Sequence, residues 1–117
     1  MSSSEMTETN SNTPPDHTAK LLELDEAVAK FEGMKRWQDV IKTLQQRVEL
    51  LADPGERVAT LERIAGIYLE RFSNQAEATK VYEAILELAP NHAKGHEFLK
   101  SAYEKRRDWD KYLGLQR

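Results

Sequence analysis

An internal repeat constrains the fold of this 117-residue chain more than any other sequence feature. The segment FEGMKRWQDV at 31–40 matches YEKRRDWDKY at 103–112, because in both an aromatic residue is followed by five residues and then by tryptophan. A middle unit is related to the last by an offset of 35 residues, which pairs Ile64 with Leu99, and the remaining offset is 37. Fixed periods in the middle thirties are typical of stacked helical hairpins.

Apolar residues recur at the three- and four-residue steps of a helix face, in six separate stripes. The stripes open at Leu21, Trp37, Val58, Ala78, Phe98 and Trp109. Gly33 separates the first two stripes, and we interpret Asp53-Pro54-Gly55 as a breaker after the second. No window alternates with a two-residue period in β-branched residues, so a sheet is not expected. The sequence predicts an all-α fold of six helices over 19–116.

Proline and capping residues predict where two of these helices end and begin. Pro90 disfavours helical geometry in the residue before it, so the fourth helix is expected to end at Ala89. Asn91 is then the predicted cap of the fifth helix, and either Ser73 or Asn74 is the predicted cap of the fourth. Pro90 therefore marks a boundary between two hairpins.

The first 17 residues differ in composition from the rest of the chain. They are rich in Ser, Thr, Asn and Pro, contain no Lys or Arg, and account for the net charge of −3 through Glu5, Glu8 and Asp16. With almost no apolar surface to bury they cannot offset the entropy of ordering, so residues 1–17 are predicted to be a disordered tail. The folded domain is predicted to span 18–117, in units of about 19–54, 55–90 and 91–117.

Composition narrows the classes of function. The chain has no cysteine, no secretory signal and no apolar run of membrane-spanning length, so a cytoplasmic location is expected, with no membrane partner. The body is balanced in charge, and one short basic run, Lys105-Arg106-Arg107, is typical of a helix end rather than a nucleic-acid surface. We expect no nucleic-acid partner.

No arrangement of residues points to catalysis or to a cofactor. There is no Gly-x-Ser-x-Gly motif and no glycine-rich phosphate loop, so we expect a protein that is not an enzyme and binds no cofactor. His92 and His96 stand four residues apart, a spacing that metal sites use, but no third ligand is evident and packing is the favoured interpretation. Trp37 and Trp109, each at the start of a second helix, are expected to pack in the core against the preceding aromatic.

The middle unit resembles the tetratricopeptide repeat (TPR) family, whose loose pattern is W-x2-L-G-x2-Y, then A-x3-F, then P. Ala65, Tyr68, Ala78, Tyr82 and Pro90 occupy landmark positions of that pattern, with one extra residue between Tyr68 and Ala78. The outer two units match less well. The resemblance covers about 21–117 and implies a right-handed α-solenoid of antiparallel helix hairpins.

The resemblance also implies a function, which is to present a concave groove of first helices to a peptide or helix of a partner protein. The groove residues carried over by position are Leu22, Asp25, Glu26, Ala29, Glu32, Ala59, Glu62, Arg63, Gly66, Leu69, Glu70, Lys94, Glu97, Phe98, Ser101, Glu104 and Lys105. Because apolar and acidic residues alternate there, the expected partner has apolar anchors flanked by Lys or Arg. The family's carboxylate-binding pattern is matched only at Lys94, so a clamp for C-terminal carboxylates is not expected.

A structural role is the competing class of function. The chain is then a short solenoid that self-associates into a homo-oligomer, or the N-terminal segment of a longer repeat assembly. The sixth stripe is only about two turns long, and Tyr112, Leu113 and Leu115 are predicted to form an apolar C-terminal contact face. The mass of the protein in solution discriminates between the two classes.

Overall fold

The computed structural model of the protein describes residues 15–115, and this part of the chain contains six α-helices and no strand. The helices are α1 (Pro15–Gly33), α2 (Trp37–Leu50), α3 (Pro54–Arg71), α4 (Gln75–Leu88), α5 (Ala93–Arg106) and α6 (Trp109–Leu115). The predicted all-α class is therefore confirmed. No helix in the described range combines the length and apolar content needed to cross a membrane.

α1 begins at Pro15, earlier than the start near residue 18 predicted from the apolar stripe. Proline suits the first position of a helix, because its fixed φ is already helical and its missing N–H has no partner to lose there. Residues 15–17 of the predicted disordered tail (1–17) are therefore helical, and residues 1–14 of it lie outside the described residues.

α3 and α4 each begin at a side chain that accepts a hydrogen bond from the first turn of the helix. Asp53 Oδ2 accepts from the Glu56 N–H at 2.9 Å, so the segment interpreted as a breaker is the N-cap of α3, with Pro54 as its first residue. Asn74 Oδ1 accepts from the Glu77 N–H at 3.1 Å, as predicted for α4.

The predicted cap of α5 is wrong by one residue. His92, not Asn91, precedes the helix, and its Nδ1 accepts from the Gly95 N–H at 2.9 Å. Histidine is an uncommon N-cap, so the usual capping preferences selected its neighbour. Before this turn, α4 ends with Ala89 as its C-cap, as predicted from Pro90.

The internal repeat is visible in the turns between helices. Lys35, Ser73 and Arg107 have φ values of 58°, 49° and 55°, and they are the non-glycine residues of the described chain in the left-handed region. In the first and last turns the next N–H returns to an aromatic carbonyl, from Arg36 to Phe31 at 2.9 Å and from Asp108 to Tyr103 at 2.9 Å. These hydrogen bonds satisfy carbonyls left open at the helix ends.

The middle turn follows the same scheme with one more residue. There the Asn74 N–H reaches the Tyr68 carbonyl at 2.8 Å, across six residues instead of five. This is the extra residue that the sequence comparison places between Tyr68 and Ala78.

The described chain divides into two compact units, with the boundary between Ala52 and Asp53. In the first unit α1 and α2 form an antiparallel hairpin. Its core consists of Leu24, Val28, Val40, Ile41, Leu44, Val48 and Leu51. All seven belong to the predicted stripes, and the Arg47 Nε to Asp25 Oδ1 ion pair at 2.7 Å also joins the two helices.

The second unit contains α3 to α6, in which each helix packs against the next. Short connections make neighbouring helices antiparallel, so α3 and α5 run in the same direction. Their shared core consists of Ala65, Tyr82, Ile85, Leu99 and Tyr103, contributed by α3, α4 and α5. α6 supplies Tyr112 and Leu115 to the edge of this core but has no fully buried residue.

Candidate partner-binding surface

The predicted groove residues of the second unit occupy one face of α3 and one face of α5. On α3 they include Glu62, Arg63, Gly66, Leu69 and Glu70, and on α5 they include Lys94, Glu97, Phe98 and Ser101. We call this set the α3/α5 surface. Its apolar members Leu69 and Phe98 are half-buried and pack against the same core, whereas Glu70, Lys94, Glu97 and Ser101 are exposed.

Phe98, an apolar residue of this surface, packs against the ring of the buried Tyr82. The Phe98 ring lies 4.6 Å from the Tyr82 ring, centroid to centroid, at an interplanar angle of 30°. Tyr82 is 1% exposed, so it fixes the position of Phe98 from within the core. The exposed part of Phe98 is therefore presented on a rigid base.

Glu62 is oriented by a contact with the start of α5. Its Oε2 meets Nε2 of His92, and the side chain of His92 is only 15% exposed. Because Nδ1 of His92 accepts the Gly95 N–H, the proton of the neutral ring must sit on Nε2, which donates to Glu62. This one imidazole both caps α5 and fixes the direction of a carboxylate on α3.

Gly66 leaves an open site on α3 between Glu62 and Leu69. A Cβ placed on Gly66 would meet no atom within 4 Å, so no packing inside the protein requires glycine there. Glycine within a helix costs about 1 kcal/mol relative to alanine. The gap exposes the backbone of α3 between a charged and an apolar side chain.

Gly95, unlike Gly66, lies in a crowded position. A Cβ there would lie 3.1 Å from His92 Nδ1 and 3.2 Å from Leu86 Cδ2, so glycine allows the histidine cap to form.

The predicted groove residues of the first unit lie on α1. Leu22 is 61% exposed, Glu32 is half-buried, and Asp25 is bound to Arg47 within its own hairpin. Asp25 thus has a structural contact that the sequence pattern did not indicate.

The predicted C-terminal contact face is divided between two sides of α6. Tyr112 and Leu115 turn inward and pack against the core of the second unit. Leu113 is 57% exposed, and Trp109, one turn before it, is 52% exposed. The outward apolar pair on α6 is therefore Trp109 and Leu113.

The expectation that both tryptophans pack in the core is wrong for Trp109. The centroid of its ring lies 5.5 Å from that of Tyr112, in an edge-on arrangement. The group near the ring of Tyr103 is Lys111, whose Nζ lies 5.9 Å from the ring centroid. Because α6 is only seven residues long, its first residue lies at the edge of the unit and not over the core. Trp37 is half-buried at the start of α2.

His92 and His96, which stand four residues apart, make separate contacts within the protein. His92 precedes α5 and contacts Glu62, and Nε2 of His96 is bonded to the Pro90 carbonyl at 2.6 Å. Across residues 15–115 no three His, Asp or Glu side chains converge as metal ligands. A shallow cavity of about 140 Å³ near α6 is lined by His96, Glu97, Lys100 and Leu115.

His92 is the residue of this surface that sequence reasoning missed as a partner of Glu62. The sequence signal was weak, because histidine is a rare cap and Glu62 lies 30 residues away in another helix. Comparison with family models, with curated proteins and with solved structures found no match to this chain. The resemblance to tetratricopeptide repeats accordingly rests on the sequence pattern.

Proposed function

We propose that this protein is a protein-interaction module, a short α-solenoid of the tetratricopeptide type, that binds a peptide or helix of a partner on the α3/α5 surface. The observation that carries the proposal is that Leu69 and Phe98 are half-buried and pack against one core, whereas the charged residues Glu70, Lys94 and Glu97 of the same two helices are exposed. An apolar centre with a charged rim is the usual composition of a protein interface.

Rigidity of the apolar centre supports the proposal. Phe98 rests on Tyr82, and Leu69 packs against the same core, so neither side chain has to be ordered when a partner binds. Pre-organisation of this kind removes part of the entropy cost of association. The open backbone at Gly66 adds room for close approach by a partner.

A random-peptide display library, panned against the intact protein, tests the proposal. The blocking variant is Gly66→Leu, whose Cβ enters open space on α3. Its matched control is Gly114→Leu on α6, where a Cβ also meets nothing within 4 Å. We expect selected peptides to bind the wild type and Gly114→Leu, and to lose at least tenfold in affinity for Gly66→Leu. Peptides that bind all three proteins equally would refute the proposed surface.

Self-association is the second candidate function, and the exposed pair on α6 favours it. Trp109 and Leu113 lie on one face of the helix, each more than half exposed. Sedimentation velocity from micromolar to millimolar protein tests this role, with Leu113→Lys as the variant. A wild type that remains monomeric over the whole range excludes it.

A further inference from the structure

Glu62 differs from the other carboxylates of the α3/α5 surface because its direction is fixed. Glu70 and Glu97 are exposed, whereas Glu62 is half-buried and held by His92 through Oε2. A carboxylate accepts about four hydrogen bonds, so Glu62 retains capacity for a second donor. The neutral tautomer of His92, fixed by the Gly95 N–H, contributes a hydrogen bond without cancelling the charge of Glu62.

The spacing along α3 places this carboxylate at a defined distance from the apolar centre. Glu62 and Leu69 are seven residues apart, which is nearly two helical turns, so they share a face about 10 Å apart along the axis. Gly66 lies between them and presents open space above the backbone. The three residues form a strip with a negative end, a gap and an apolar end.

We propose that Glu62, oriented by His92, receives the side chain of a Lys or Arg in the partner segment, while an apolar side chain of the same segment contacts Leu69 and Phe98. This inference rests on the proposed function and specifies the partner it recognises. The partner chemistry follows from charge complementarity, since a half-buried carboxylate fixed by a neutral donor favours a cation.

The 10 Å separation sets the sequence spacing of the partner. In a helical partner the cation and the apolar residue stand about seven positions apart, at a rise of about 1.5 Å per residue. In a partner with the polyproline II conformation they stand three positions apart, because that helix has three residues per turn and a rise of about 3.1 Å per residue. Spacings between these values put one of the two side chains on the wrong side of the partner or out of reach.

His92 is a positioning residue in this arrangement. Its substitution by Asn retains an N-cap for α5, because the Asn side chain accepts the Gly95 N–H, but the shorter amide does not bring a donor to the place that Nε2 occupies beside Glu62. Replacement by Ala removes both contacts. The difference between His92→Asn and His92→Ala therefore separates the stability of α5 from the orientation of Glu62.

The experiment uses synthetic peptide libraries in which a fixed Lys and a Leu are separated by three, five or seven positions, bound to the intact protein. Each binding peptide is compared with its counterpart carrying norleucine in place of Lys, and the ratio of the two affinities is the readout. We expect binders at spacings of three or seven, with about a tenfold preference for Lys, as measured for hydrogen bonds to charged groups. Glu62→Gln should abolish the preference, and His92→Asn should reduce it without loss of thermal stability.

The outcomes separate this inference from the proposed function. Peptides that bind but show the same affinity with Lys and norleucine would overturn the role of Glu62 and leave the α3/α5 surface standing. A preference retained in full by His92→Asn would overturn the positioning role of His92. Absence of binding at every spacing, together with failure of the random library, would overturn both proposals.

Discussion

The hydroxyl of Tyr103 donates a 2.5 Å hydrogen bond to Oε2 of Glu83, and this contact joins α5 to α4. Lys111 of α6 lies 3.6 Å from the same carboxylate oxygen. Tyr103 is 4% exposed, so its hydroxyl has little access to water. We predict that Tyr103→Phe lowers the free energy of unfolding by about 1.5–3 kcal/mol, the range for hydrogen bonds to charged groups. Urea denaturation at pH 7 measures the loss, and an unchanged midpoint would contradict it.

The same contact predicts how stability depends on alkaline pH. Burial, and next the hydrogen bond to Glu83, raise the pKa of Tyr103 well above its usual value of 10.0. Its stabilising effect is therefore complete below about pH 10 and declines above it, where the unfolded chain ionises and the folded chain does not. Urea denaturation from pH 8 to 11 should show this decline, with a smaller slope for Tyr103→Phe. Burial also raises the pKa of Tyr68, so part of the decline should remain.

Gly66 and Gly95 are expected to respond in opposite ways to substitution by alanine. Gly66→Ala should raise the free energy of unfolding by about 0.5–1 kcal/mol, since alanine favours the helix and meets no atom. Gly95→Ala should lower it by about 1 kcal/mol, because the new Cβ crowds His92 and Leu86. Thermal unfolding of both variants tests this pair, and effects of the same sign would contradict the described packing.

The left-handed turn residues offer a further test. Arg107 has φ 55°, a conformation that costs a non-glycine residue about 1–2 kcal/mol. Glycine removes this strain but gains freedom in the unfolded chain, so Arg107→Gly should stabilise the protein by up to about 1 kcal/mol. Differential scanning calorimetry reports the shift. A lower melting temperature would argue against the turn geometry shared by Lys35 and Arg107.

α6 gives a prediction that depends on the direction of each side chain. Leu113→Lys should change the unfolding free energy of the monomer by no more than about 0.5 kcal/mol, because Leu113 is exposed. Tyr112→Ala should lower it by about 1 kcal/mol or more, because Tyr112 packs against the core. Equal losses in the two variants would show that α6 does not have an inner and an outer face.

The helices and most of the core could be predicted from the sequence because they depend on local periodicity. Ile64, Ala65, Tyr82, Ile85 and Leu99 all belong to predicted apolar stripes and are at most 1% exposed. The hairpin turns were also foreseen in position, since the aromatic residues of the repeat mark them.

Other core positions escaped prediction because polar residues fill them. The hydroxyl groups of Thr43, Thr60 and Thr79 donate to the carbonyl four residues earlier, at 2.8, 2.9 and 2.7 Å. Each hydroxyl donates within its own helix, so burial of the threonine does not leave that donor unsatisfied. A pattern that counts only apolar residues omits such positions.

The details of the candidate surface depended on contacts between distant residues. The pairing of Glu62 with His92 crosses 30 residues, and no local periodicity encodes it. Trp109 is equivalent to Trp37 in the internal repeat, so the sequence suggests that both lie in the core. The exposure of Trp109 was missed because it lies at the edge of its unit, at the start of the short helix α6.

The most direct test of partner binding on the α3/α5 surface is an NMR titration of the ¹⁵N-labelled intact protein with a library-selected peptide. We predict the largest amide shifts at Glu62, Gly66 and Leu69 of α3 and at Phe98 of α5, with α6 nearly unchanged. Gly66→Leu should abolish these shifts at the same peptide concentration. Shifts centred on Trp109 and Leu113, or shifts that persist in Gly66→Leu, would contradict the account.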